Sequence, residues 1–308
     1  MGGGLDFVMV NTLTDRMFGG NKLAVFPEAE HLSNELMQAV SRELDMSATY
    51  VSRPASASHT RDIRIFTPEA ELPFAGHPTI GTAVVLHSLG LLRDDPTVRN
   101  VAEGSVEIIL GERAGAVPVQ IQTEDDLATA VLTSPRLPAP VEQALNTPAL
   151  AAVLGLTDAE VGTAWLPGCF SAGMPFTFIP IRDRNSLSRI RINRDVWTKV
   201  LRDSAAPKIY AFTLAEWRDG RDVHARMFPP DTEVVEDPAA AGAAVAFGGY
   251  LADRQAIGEG RTTWHIHQGL DMGRPSLIQL EVQKRSGQIS VIRVGGAATI
   301  FASGSMRL

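Results

Sequence analysis

Two blocks of this sequence set an ionisable side chain and a proline ahead of a run of small apolar residues. In the first, Arg64-Ile65-Phe66-Thr67-Pro68 leads through an acidic turn to Gly76-His77-Pro78. In the second, Arg226-Met227-Phe228-Pro229-Pro230 leads to Glu236-Asp237-Pro238. Each block reads Arg-x-Phe-x-Pro, acidic turn, polar residue, proline, apolar helix, so His77 corresponds to Asp237. A histidine and an aspartate at matching positions of two similar halves could pass a proton across a bound substrate, one as acid and one as base. A helix start built from Ala and Gly also leaves its N–H groups uncovered for a substrate carboxylate. Gly76, Ala241, Gly242 and Ala243 are therefore candidate substrate contacts. The bland alternatives stay open here. Asp before Pro is a good helix cap in its own right, and His77 could be a structural imidazole bonded to backbone.

Other reactive side chains offer less. His265 and His267 alternate on a strand with no third ligand at recognisable spacing, so no metal is expected. His31, His59, His87 and His224 have no motif around them. The single cysteine, Cys169, reads as an inert buried thiol. One cysteine per chain excludes an intramolecular disulfide, a thiolate cluster and a racemase working through paired cysteines. Gly173 precedes a strand and either approaches a ligand or makes a turn. No phosphate-cradling glycine motif follows a strand and no nucleophile elbow is present.

The elements that must hold these residues are mixed. Strands are predicted over 5–14, 22–27, 175–181, 221–230, 262–269, 276–283 and 288–304, with shorter ones between 49 and 68 and three alternating patterns between 105 and 135. An amphipathic helix is predicted over 32–46 with Ser33 as its cap. Further helices are predicted over 77–92, over 147–161 and from 238 onward. The pattern is α+β rather than a strict strand–helix alternation. Two halves are expected, 1–130 and 131–308, with the last strands able to cross back to the first half.

Composition narrows the partners. The chain has 308 residues, 44% of them hydrophobic and 20% charged, with a net charge of −7. Lys22, Lys199, Lys208 and Lys284 are scattered, which argues against a nucleic-acid surface. No apolar run is long enough for a transmembrane helix, and the start lacks a signal peptide, so a cytoplasmic protein is expected, with no membrane partner.

Taken together, "FGGNKLAVFPEAEHLSNELMQAVSRELDMS", "RIFTPEAELPFAGHPTIGTA", "RMFPPDTEVVEDPAAAGAAVAFGGYLA" and "QGLDMGRPS" resemble the successive signatures of the phenazine-biosynthesis PhzF-type family. The resemblance runs from about residue 6 to the end. It implies a diaminopimelate-epimerase-like fold, in which two pseudo-symmetric halves each wrap a β-barrel-like sheet around a central helix, with the site in the cleft between them. It also implies a homodimer and a cofactor-independent isomerase. His77 and Asp237 occupy the family's catalytic His and Asp positions. The main catalytic glutamate of the family is missing, because Ala48 stands in its place in "DMSATYV", and Gly242 stands where a serine is usual. Losing a positioned acid/base costs about 10²–10⁴ in rate unless another group substitutes. Asp45, three positions earlier, is the nearest candidate, or else a solvated residue ending its helix. Two functions follow from the resemblance. One is an isomerase that moves a proton on a small carboxylated, amino-acid-derived metabolite, as in natural-product biosynthesis. The other is a small-molecule-binding protein that kept the cleft and lost the chemistry.

Overall fold

The computed structural model describes residues 4–162, 165–215, 221–230, 232 and 235–307. Glu233 and Val234, within the second acidic turn, lie outside the described residues. The chain divides into two compact units, Met1–Pro135 with Gly295–Leu308, and Arg136–Val294.

The first unit contains β1 (Leu5–Thr12), β2 (Asn21–Phe26), α1 (Asn34–Glu43), β3 (Ser47–Ser52), β4 (Arg61–Phe66), β5 (Glu71–Leu72), α2 (Gly76–Ser88), β6 (Arg99–Ala102), β7 (Ser105–Glu112), β8 (Gly115–Glu124) and β9 (Leu127–Thr133). The second contains β10 (Ala139–Pro140), α3 (Thr147–Leu154), β11 (Gly168–Ser171), β12 (Pro175–Pro180), α4 (Arg184–Arg189), α5 (Arg194–Val200), β13 (Lys208–Ala215), β14 (Asp222–Phe228), α6 (Ala241–Asp253), β15 (Gly260–Gln268) and β16 (Ser276–Arg285). The long β17 (Gln288–Met306) begins in the second unit and ends in the first.

In the first unit, pairing runs β1–β2–β3–β4–β7–β8–β9–β17 and returns to β1, closing an eight-stranded barrel. Helix α2 packs against β1, β2, β3, β8 and β9. It is apolar on every side, and Pro78 through Leu86 are all buried, as a helix enclosed by a barrel requires. Gly81 permits the close approach: a Cβ there would lie 2.5 Å from Thr12 Cγ2 and 2.7 Å from Leu23 Cδ2. On the outer side of β2 and β3, α1 covers a cluster of Ala24, Phe26, Met37, Val40, Ala48, Tyr50 and Phe66.

The second unit repeats the plan. β1–β2 antiparallel, β2–β3 parallel, β3–β4 antiparallel, β4–β7 parallel and β7–β8 antiparallel are matched in sense and order by β11–β12, β12–β13, β13–β14, β14–β15 and β15–β16. In both units the apolar helix falls at the same step, α2 between β4 and β7 and α6 between β14 and β15. The short sequence match is thus part of a duplication that spans both units, and the α+β class is as expected.

Two helix expectations change, and two further helices appear. The helix predicted over 147–161 stops at Leu154, because Gly155 adopts a left-handed cap (φ 70) and only a 3-10 turn, Asp158–Glu160, follows. The helix predicted from 238 starts at Ala241. Two short helices, α4 and α5, carry the crossover from β12 to β13 and pack Leu187, Ile190, Trp197 and Leu201 onto α3. Among the described residues no helix is long and apolar enough to cross a membrane.

Candidate functional site

The first unit builds its candidate site at the start of α2. Ala75 is the cap residue, in extended conformation, and no side chain caps the first turn. His77 sits inside that turn. Its Nε2 is shut off from solvent with no hydrogen-bond partner, although the residue as a whole is only partly buried. Burial pushes the imidazole down to about 4, so it is neutral at neutral pH. The backbone-bonded structural imidazole considered above would need a partner that Nε2 does not have. Pro78 has no N–H and Thr79 N already donates to Ala75 O, so Gly76 and His77 supply the free amides of this turn.

The second unit places Asp237 differently from the sequence expectation. It precedes α6 by several residues instead of capping it, and Ala240 is the cap residue. Asp237 N donates to Met227 O at 2.9 Å, which ties the segment to β14, and Asp237 Oδ1 accepts from Ala239 N at 2.9 Å. The carboxylate caps the two-residue turn before the helix and leaves the N–H groups of Ala241, Gly242 and Ala243 without intrahelical acceptors. Burial raises the Asp237 carboxyl to about 6; the Ala239 N–H and the Lys208 charge pull it down, and Glu236 adds to the rise. Tyr210 feels the same carboxylate, since burial first and Asp237 second push its phenol upward. Gly242 faces open space, with no atom within 4 Å of an added Cβ.

The paired motifs match in structural detail. Arg64 grips Glu71 through Nε and Nη2 (2.8 Å each), and Arg226 grips Glu236 in the same way (3.0 and 2.6 Å). Each guanidinium lies over the phenylalanine two residues on, 5.1 Å from the Phe66 centroid and 4.8 Å from that of Phe228. The Arg-x-Phe motif is therefore a brace for the segment leading to His77 or Asp237, not a substrate contact.

The remaining sequence candidates land elsewhere. Ala48 is fully buried in the cluster beneath α1, with Ala24 and Phe66 as its ladder partners, so its methyl group offers no surface to a ligand. Asp45 is exposed in the turn after α1, with left-handed φ 50 and its N–H on Arg42 O. There it terminates the helix in solvent. Gly173 is exposed in the β11–β12 turn at φ 127, its N–H on Ser171 Oγ. An open pocket of about 550 Å³ lies at the opposite end of α6, lined among others by Cys169, Asp253 and Arg254; none of the candidate residues lines it. Cys169 is buried, and that burial raises its thiol.

Two side chains not singled out from sequence reach the helix starts. Gln268, buried at the end of β15, donates from Nε2 to Asp237 O at 2.6 Å. Glu112, at the end of β7, meets Thr79 in the first turn of α2 at 2.6 Å, and burial raises its carboxyl to about 8. The two are counterparts. Asp62 pairs with Gly111, and His224 pairs with His267 at the same step of the ladder, so the next residues, Glu112 and Gln268, correspond. Extending the repeat through the strand after each helix would have found them.

Comparisons with known proteins agree with this architecture. Residues 10–304 match PhzC-PhzF, phenazine biosynthesis-like protein. An uncharacterized isomerase of Mesorhizobium japonicum is 34% identical over 308 residues, covering 98% of each chain. A trans-2,3-dihydro-3-hydroxyanthranilate isomerase of Pseudomonas aeruginosa is 32% identical over 300 residues, covering 97% of this chain and 98% of the relative. Among solved structures, a PhzF-family phenazine biosynthesis protein of Bacillus anthracis superposes with a TM-score of 0.84 at 20% identity over 99% of both chains, which shows the shared fold. A probable proline racemase of Agrobacterium radiobacter has that fold too, with a TM-score of 0.64 at 12% identity over 98% of this chain and 93% of that one.

Proposed function

The chain belongs to the phenazine biosynthesis-like PhzC-PhzF family and is an isomerase, and on that premise we propose that it moves a proton on a small carboxylated, amino-acid-derived metabolite. The move is a double-bond shift or an inversion at carbon, made without a cofactor. The observation that carries this is the placement of His77 and Asp237 at matching positions of the repeat, His77 at an uncapped helix start with Nε2 shut off from solvent and Asp237 tied through its N–H to Met227 O. Burial acts on both, pushing His77 down to about 4 and Asp237 up to about 6. At neutral pH, Asp237 is an ionised base whose strength has been raised by burial, a state suited to taking a proton from carbon. His77 is neutral until an anion arrives. A substrate carboxylate near the free amides of the α2 start favours the imidazolium, so His77 takes up a proton when substrate binds. Gly76 in the first unit and Ala241, Gly242 and Ala243 in the second supply the N–H groups for that carboxylate.

The curated relative of Pseudomonas aeruginosa acts on trans-2,3-dihydro-3-hydroxyanthranilate. Here the catalytic glutamate position is Ala48 and the serine position is Gly242, so a different substrate of the same chemical class is proposed. Action in the cytoplasm as a homodimer is part of the proposal, and light scattering of the purified chain tests the assembly. Incubation with amino-acid-derived dienoic acids in D₂O tests the chemistry: solvent deuterium should enter the substrate and stop doing so in Asp237→Asn. Incorporation that survives both Asp237→Asn and His77→Ala would sink these roles, and tight binding without incorporation would favour a non-catalytic binding protein.

A further inference from the structure

The two halves of the repeat start their apolar helices at different points. α2 begins at Gly76, just before His77, and takes Pro78 into its first turn. α6 begins at Ala241, well after Asp237, and leaves Pro238 outside. Nothing in the local sequence requires the delay. Asp is a good cap, Pro suits the first helical position, and Ala239 and Ala240 are good helix formers. In a helix capped by Asp237, the carbonyls of Asp237, Pro238 and Ala239 would accept from the N–H groups of Ala241, Gly242 and Ala243. The bond that does form comes one step later, from Ala244 N to Ala240 O at 3.0 Å.

The end of β15 takes the first two of those carbonyls away from the helix. Gln268 Nε2 donates to Asp237 O at 2.6 Å, the place that Ala241 N would fill. Gly269, left-handed at φ 71, lies so close to Pro238 O that an added Cβ would be 2.9 Å from it. The amide can face only one way, because its oxygen turned toward Asp237 O would bring two acceptors together. In that orientation Gln268 Oε1 is buried without a hydrogen-bond partner among the described residues. A buried unmatched acceptor is destabilising, so the side chain is held here at a cost and its bond to Asp237 is what it contributes. In the first unit the counterpart, Glu112, meets Thr79 inside the first turn instead, and there the helix is not delayed.

We propose that Gln268 is a positioning residue, whose amide keeps Asp237 from becoming the cap of α6 and so preserves both the base and the Ala241 N–H for the reaction. This rests on the isomerase reading above. Without the clamp, Asp237 and Pro238 join α6 as its cap and first residue. The carboxylate then adds the Ala240 N–H to the Ala239 N–H it already holds, and Ala241 N closes onto Asp237 O. Two losses follow together. The base weakens, because further N–H bonds and the positive end of the helix favour the ionised carboxylate. The substrate carboxylate also loses one of the amides open to it.

Two replacements of Gln268 test this. Gln268→Met keeps the length and volume without a donor. Gln268→Glu keeps a donor while its carboxyl holds its proton, as Glu112 does at the counterpart position up to about 8. Nuclear magnetic resonance titration of isotope-labelled aspartate reads Asp237 directly, with Asp237→Asn identifying its signal. Asp237 should titrate at about 6 in the parent and in Gln268→Glu, and nearer the ordinary 3.8 in Gln268→Met. Hydrogen exchange at the Ala241 amide should slow in Gln268→Met, as that N–H gains an acceptor. With a dienoic acid that the parent accepts, deuterium incorporation should rise as pH rises through about 6. In Gln268→Met that limb should move to lower pH with Asp237, KM should rise, and the plateau should fall about 100-fold as the base leaves its position. General destabilisation would lower the rate without moving the limb. An unchanged Asp237 titration and unchanged Ala241 exchange in Gln268→Met would overturn the proposal whatever the substrate. Should Gln268→Met fail to fold, Gln268→Glu decides: relative to the parent, its incorporation should fall as pH rises through about 8 and the ionised side chain releases Asp237 O, and a constant ratio would overturn the proposal too. Absence of incorporation in the parent would defeat the substrate class and leave the titration and exchange results to decide the role of Gln268.

Discussion

Replacing Glu236 by alanine should cost the second unit about three times what the matching replacement, Glu71→Ala, costs the first. The two pairs have the same geometry and different surroundings. Arg226 and Glu236 side chains are 7% and 6% exposed, whereas those of Arg64 and Glu71 are 31% and 15% exposed. Removing Glu236 strands a buried guanidinium, a change worth about 3–5 kcal/mol. Two features put the expected cost near the lower end, about 3 kcal/mol. Arg226 Nη1 keeps contacts to Leu187 O, Ser188 O and Ile190 O at 3.1–3.2 Å, and Asp271 Oδ2 waits 3.8 Å from Nε. Removing Glu71 leaves Arg64 partly in water, where screening limits an ion pair to about 1 kcal/mol. All four tryptophans, Trp165, Trp197, Trp217 and Trp264, fall within 136–294, so fluorescence-monitored urea unfolding reports the second unit directly, and circular dichroism follows both. A loss below 1 kcal/mol in Glu236→Ala, or equal losses in both variants, would refute the reasoning. The paired replacement Arg226→Met with Glu236→Leu should recover most of the loss, since neither charge is then left buried.

Three further outcomes are expected. Asp237 holds its proton more tightly folded (about 6) than unfolded (3.8), so it favours the folded state at low pH and subtracts stability as pH rises from about 4 to 6. Asp237→Asn should therefore match the parent near pH 4 and exceed it above pH 6 by up to about 3 kcal/mol in melting experiments; a variant no more stable at pH 7 would contradict the raised ionisation. Gly269→Ala should cost at least about 2 kcal/mol by fluorescence-monitored urea unfolding. Its backbone is left-handed (φ 71), and a Cβ would lie 2.2 Å from Arg274 O and 2.9 Å from Pro238 O, so an unshifted midpoint would exclude that close packing. Asp45→Gly should gain about 0.5–1 kcal/mol by circular dichroism melting, because glycine removes the strain of φ 50, and deuterium incorporation should be unchanged. A tenfold drop in incorporation would restore Asp45 as a catalytic candidate.

The repeat was the most legible feature of the sequence, because a brace must keep its charge and its ring: Arg64 with Phe66 and Arg226 with Phe228 survive side by side where intervening residues differ. His77 was legible because an imidazole is a poor helix cap and needed another reason to be there. Other features depend on geometry that local pattern does not carry. Asp237-Pro238 looks like cap and first helical residue, yet the tie from Asp237 N to Met227 O and the Gln268 bond to Asp237 O hold it in extended chain and delay α6 to Ala241. Ala48 sits in a strand, where alternate residues face opposite sides, and its face is fixed by its pairing with Ala24 and Phe66. Glu112 meets Thr79 across 33 residues of chain, with no motif of its own to announce the contact.

The barrel around α2 has an order of assembly written into it. Seven of its strands come from the first 133 residues, but the eighth is β17, whose Met306 pairs with Leu5 about 300 residues away along the chain. On a growing chain the second unit, contiguous from 136 to 294, is available to fold while the first still has open edges at β1 and β9. The start of α2, with His77 and Glu112, is the earlier of the two helix starts to be synthesised, and its barrel is the later of the two units to be completed.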